Sequence, residues 1–173
     1  MSQRRRRSLS ARLAGWDETW ALAIDFGLAS IPWTYAFVAG LSLPLWPSFI
    51  ASATFYAAGG SIEGLKRGYA SNAAAYAAAT LVIVDVFLDG GVLALNVVVG
   101  VFMFLASLHE YVPLLSFTPG GFFGYATMFS VHAAEVSAFG FPGLVGETLA
   151  ALTAMFIGAG IGLTTDVLSG EFA

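Results

Sequence analysis

The chain has 173 residues, of which 58% are hydrophobic and 10% charged, and its mean hydropathy is +0.80. Soluble domains carry about 25% charged residues, so a soluble chain of this composition could not cover its own surface, whereas a bilayer supplies the missing apolar solvent and the length suits one bundle. The absence of cysteine excludes disulfides, thiolate metal sites and thiol nucleophiles, and the net charge of -4 conceals an asymmetry: all seven cations are Arg4, Arg5, Arg6, Arg7 and Arg12, then Lys66 and Arg67.

The N-terminal arginines resemble the n-region of a signal peptide. Against that reading, Asp17, Glu18 and Asp25 interrupt the following apolar stretch, which continues past Pro32 to about Leu45. An uncleaved cytoplasmic tail over residues 1–18 accounts for both features. Such a tail beside a membrane helix acts as a topology signal or a lipid contact more often than as a nucleic-acid binder, so no nucleic-acid partner is expected.

Six apolar segments follow, at residues 20–40, 43–58, 69–88, 92–107, 119–134 and 144–165. Residues 59–68 read as a glycine-rich charged turn, and Asp89-Gly90-Gly91 as a second punctuation. Spanning needs about 20 residues of helix. The first, third and sixth segments meet that length; the second, fourth and fifth are shorter and read as tilted, broken or re-entrant. The expected fold is therefore all-α, a polytopic membrane helix bundle of six spans. Placing the arginine tail inside puts Lys66 and Arg67 inside as well, as the positive-inside rule requires. Both termini are then cytoplasmic, in a cytoplasmic (inner) membrane. A five-span alternative moves only the C-terminus.

Two stretches repeat. Phe49-Ile50-Ala51-Ser52-Ala53-Thr54-Phe55-Tyr56-Ala57 is similar to Phe122-Phe123-Gly124-Tyr125-Ala126-Thr127-Met128-Phe129-Ser130, at an offset of 122 − 49 = 73. Each follows a proline, Pro47 or Pro119, and Gly27 and Gly100 share the offset. The alternative is chance similarity between two small-residue membrane helices. A true repeat divides the chain into three-helix units over residues 19–88 and 89–166, with a short acidic tail over 167–173. An odd number of spans per unit makes it an inverted repeat, a plan recurrent in transporters.

Leu45-Trp46-Pro47-Ser48-Phe49, then Phe55-Tyr56-Ala57, Gly59-Gly60 and Gly64-Leu65-Lys66, resemble the first signature of the YcdZ-type inner-membrane proteins. Leu114-Leu115-Ser116-Phe117-Thr118-Pro119-Gly120-Gly121-Phe122-Phe123-Gly124, with Ala126-Thr127 after it, is similar to the second. The resemblance covers about residues 20–165 and implies a small multi-span protein of the cytoplasmic membrane. It supplies no activity and no catalytic residue. The arginine tail and the loop after the fifth segment depart from it.

Several residues are candidates for lining a pore or holding a solute. Asp25 lies inside the first apolar segment, where a carboxylate costs a few kcal/mol unless paired, protonated or wetted; it is a proton or cation site, or an acid reaching the interface. Asn72 and Asn96 can hold a solute or bond across helices. Thr54 and Thr127 face each other across the pseudo-two-fold or bond back to their own helices. Phe49 and Phe122 form pore constrictions or pack as ordinary aromatics. The stripes Ala154, Gly158, Gly162 and Gly120, Gly124 permit close helix packing and allow a homo-oligomer.

His132 and Glu135 stand at i and i+3, but one His and one Glu do not fill a metal shell, so no metal is expected. No nucleophile elbow, P-loop, dinucleotide fingerprint or HExxH motif occurs in the sequence, so neither an enzyme nor a cofactor is expected. The sequence reads as a channel or transporter-like protein for a small neutral or weakly charged solute. The rival is a non-transporting membrane scaffold or stress-associated component.

Overall fold

A computed structural model describes residues 18–86 and 91–172. Among the described residues there are six α-helices and no strand: α1 (Glu18–Tyr35), α2 (Leu45–Ala57), α3 (Ser61–Val86), α4 (Gly91–Leu108), α5 (Thr118–Ala133) and α6 (Gly143–Phe172). Asp89 of the second punctuation and the arginines of the tail lie outside the described residues.

Proline placement shapes the first half. Pro32 inside α1 removes a backbone donor. The helix then continues as a π-helical segment, Ala36–Leu41, closed by Ser42 in the left-handed region at φ 52°. A π turn accommodates the displaced hydrogen-bond register. Pro47 and Pro119 fall in the first turns of α2 and α5. Their missing N–H groups would have lacked an intrahelical partner there in any case.

The turn between α2 and α3 is shorter than its composition suggests. Gly59 N–H donates to Tyr56 O and Gly60 N–H to Phe55 O, each at 3.0 Å. With Gly59 at φ +98°, this closes α2 in a Schellman-type cap. Helix α3 then starts at Ser61, so residues 61–68 are helical rather than part of a ten-residue turn. Gly64 and Gly68 mark a close crossing, not a break. A Cβ at Gly64 would lie 3.3 Å from the carbonyl oxygens of Ala58 and Phe55, and one at Gly68 would lie 3.2 Å from Thr54 Cγ2. Arg67 pairs with Glu63 one turn earlier at 3.4 Å.

Two helix pairs form the most extensive contacts, α2 on α6 and α3 on α5. α1 flanks α6, α4 flanks α5, and α3 also packs on α6 and α2. The larger core gathers Tyr76, Phe102, Tyr125, Met128 and Met155; a second joins Trp33 and Phe37 to Ala150 and Ala154. Apolar side chains also cover much of the outside: Leu28, Ile31 and Val38 near the N-terminus, Val97, Val101 and Phe104 on α4, and Val145 and Phe156 on α6 are all exposed. Among the described residues two helices, Ala23–Leu41 and Gly143–Leu168, are long and apolar enough to cross a membrane, and α6 continues to Phe172.

Candidate functional site

Polar side chains collect where the two helix pairs meet. Ser48, Ser52 and Thr54 on α2, Ser71 and Asn72 on α3, and Thr127 on α5 all have 0% exposure. A buried hydroxyl or amide is costly without a partner, and most of these have one. Asn72 Nδ2 donates to Thr54 Oγ1 at 3.1 Å, while Thr54 Oγ1 donates to Ile50 O at 2.8 Å. Thr127 Oγ1 donates to Phe123 O at 2.7 Å. Thr54 is thus joined to Asn72, and each threonine bonds back to the carbonyl four residues before it. Ser52 Oγ and Ser71 Oγ are buried without a hydrogen-bond partner.

Close backbone approach builds these seams. A Cβ on Gly158 would collide with the Ser48 carbonyl, and one on Gly124 with the Asn72 carbonyl. A Cβ on Gly162 would lie 2.9 Å from the Phe55 ring, and one on Gly120 2.9 Å from Ser71 Cβ. Ala154 has 0% exposure and belongs to the Trp33 cluster. The five small residues therefore lie at packed interfaces.

The remaining candidates are dispersed. Phe49 is 38% exposed, its ring 4.5 Å from that of Trp33, whereas Phe122 packs against the Tyr125 core, so the two have different surroundings. Asn96 is exposed on α4. Asp25 is half-buried near Tyr56, with Oδ2 shielded and lacking a hydrogen-bond partner. Tyr56 also shares a 2.6 Å hydrogen bond with Thr165, and Asp166 Oδ2 accepts from Ser61 N–H at 3.3 Å, capping the start of α3 from another helix.

At the opposite end, tryptophan donors tie helices together: Trp33 Nε1 donates to Ser48 Oγ at 2.9 Å and Trp46 Nε1 to Ser130 Oγ at 3.0 Å. His132 turns to Glu147 at 2.8 Å rather than to Glu135, which lies past the end of α5 at φ 53° and is exposed. No group of three potential metal ligands occurs among the described residues. In the 3₁₀ turn after α4, His109 rests on Gly121, and burial holds its imidazole below its ordinary pKa.

The sequence model of a family described as "Protein of unknown function (DUF1097)" matches residues 23–170. The chain belongs to that family. The match runs from the second turn of α1 almost to the end of α6, so the polar seams lie entirely within the DUF1097 region. No curated protein and no solved structure matches the chain.

Sequence reasoning singled out Thr54, Asn72 and the glycine stripes of this DUF1097 chain, but not Glu147, Asp166, Ser52 or Ser71. Glu147 stood in what read as the start of an ordinary apolar span. The available signal was an acid early in an apolar run, where a carboxylate needs a partner, with His132 the nearest upstream cation-capable residue.

Proposed function

We propose that the chain is an integral, multi-pass protein of the cytoplasmic membrane, of the YcdZ type, that passes a small neutral or weakly charged solute between two inverted three-helix units. Six spans place both termini inside. The apolar exterior and the one-sided cations support the membrane reading. The exchange of partners supports the repeat: the middle helix of each unit packs on the last helix of the other.

The observation that carries the reading is the buried seam of hydroxyl and amide groups, two of them unpartnered, at the meeting of the helix pairs. Unmet polar groups at membrane depth are a recurrent mark of a solute path. The same groups have no accessible surface, so this conformation is closed, and passage requires the seams to part. Few charges border the path, which favours a neutral solute.

The tight glycine contacts favour a second reading, a rigid scaffold, which would need no such opening. One measurement separates them. Purified protein in liposomes should raise permeability to at least one of a panel of small neutral polar solutes, whereas no flux above empty liposomes across the panel selects the scaffold. Topology is testable separately, because the chain lacks cysteine. A cysteine at exposed Ala134 should react with impermeant reagent in intact cells, and one at exposed Ile62 only after lysis. Reaction at Ile62 in intact cells would overturn the six-span arrangement.

A further inference from the structure

His132 and Glu147 join α5 to α6 beside the connection at residues 134–142. Nδ1 of His132 lies 2.8 Å from Oε2 of Glu147, and the two side chains are 34% and 6% exposed. A buried carboxylate is costly without a compensating charge, and removing one partner of such a pair leaves that cost uncovered. Here the partner is the one kind of side chain that ordinarily gains and loses a proton between about pH 5 and 8.

Among the described residues, the surroundings supply no fixed substitute. From α3, Tyr76 donates its hydroxyl to the Glu147 backbone carbonyl at 3.3 Å and carries no positive charge. In the connection, Glu135 is exposed and of the wrong sign. From α2, Trp46 reaches Ser130 on α5 and is neutral. Lys66 and Arg67 lie on α3, but Arg67 precedes Tyr76 by nine residues, about 14 Å of helical rise.

We propose that His132 and Glu147 form a one-proton binding site that latches α5 to α6. With the proton held, imidazolium faces carboxylate across the two helices. When the proton leaves to solvent, one of the two N–H bonds of the imidazolium is broken, the neutral ring keeps the other, and Glu147 remains as a buried anion without an opposite charge. The carboxylate then moves toward water and the helices part at this end. The ligand is the proton itself. That the site faces the outside rests on the topology proposed above; the binding does not.

The test uses the full-length protein in lipid nanodiscs. The chain has two histidines, so His109→Asn leaves a single imidazole to follow by NMR from about pH 5 to 8. Adding Glu147→Gln should displace the His132 titration curve. If that variant does not fold, Glu147→Asp retracts the carboxylate by one methylene and should displace the curve as well. Titrations that coincide with and without the substitution overturn the site.

Spin labels at exposed Ala133 and Leu149 report the latch. Their separation should grow as pH rises in the parent and stay constant in His132→Lys, which cannot lose its charge in this range. A separation constant in the parent while His132 titrates overturns the latch. Proton binding without any solute flux would retain the site and remove only the solute passage.

Discussion

The α2–α6 and α3–α5 seams use one device in opposite senses. On α2–α6 the glycines belong to the long last helix, where Gly158 approaches the Ser48 carbonyl and Gly162 the Phe55 ring. On α3–α5 they belong to the short middle helix, where Gly124 approaches the Asn72 carbonyl and Gly120 the Ser71 side chain. The polar fastening differs too. α2 is held near its two ends, through Trp33 to Ser48 and Tyr56 to Thr165. α3 reaches out from its middle, through the Asn72 amide to Thr54. Backbone proximity is therefore common to both seams, while the Asn72 bond ties α3 to α2 and so links one seam to the other.

The largest expected effects test backbone proximity. Gly158→Ala and Gly124→Ala each force a methyl into a carbonyl that belongs to a helix, and each should cost about 3 kcal/mol or more. Gly162→Ala meets a ring edge and a hydroxyl that can shift, and should cost about 1 kcal/mol. Gly27 and Gly100 face open space, so alanine there should be neutral or stabilise by up to about 1 kcal/mol. Thermal or denaturant unfolding in detergent gives the order. Equal losses at Gly158 and Gly27 would show that the seams are not packed this way.

The next effect tests the cross-tie. Thr54→Val removes the acceptor of the Asn72 amide and should cost about 1 kcal/mol. Thr127→Val removes a hydroxyl whose bond runs to its own helix and should cost less than about 0.5 kcal/mol. A double substitution of Thr54 and Asn72 should be less than additive, because the two share one hydrogen bond. Matching losses at Thr54 and Thr127 would make the seams equivalent.

The smallest effect concerns the histidine over Gly121. Burial lowers the His109 pKa, so the folded state binds this proton less readily than the unfolded one. The associated stability is present above the unfolded value and is lost as pH falls toward the lowered one. His109→Gln should flatten that acid limb in a pH series of melting temperatures while leaving values near pH 8 almost unchanged. An unaltered acid limb would place His109 outside the balance.

The six helices among the described residues, and most of their approximate bounds, were legible because apolar runs and prolines punctuate the chain. Pro47 and Pro119 stand in first turns, as their missing donors favour. Gly64 and Gly68 misled: glycine and charge together suggested a loop, whereas the glycines serve a helix crossing that only tertiary packing reveals. The same ambiguity hid Gly146, whose Cβ would collide with the Phe141 carbonyl. Thr54 and Asn72 could be picked out as polar groups in apolar helices, but their pairing needed the 18-residue return of the chain across the turn. The partners of His132 and Ser61 are acids on α6, and no local spacing encodes a contact between separate helices.

The helices differ greatly in length. At about 1.5 Å per residue, the 13 residues of α2 extend about 20 Å and the 30 residues of α6 about 45 Å, while a hydrocarbon core is about 30 Å thick. Set in a bilayer as proposed, the short and long helices cannot both match it. Lipid beside α2 must thin, or headgroups and water must dip toward its ends, while α6 tilts or projects into the aqueous phase. Such mismatch costs fractions of a kcal/mol per ångström, so the stability of the protein should depend on acyl-chain length, with short-chain lipids favoured around α2.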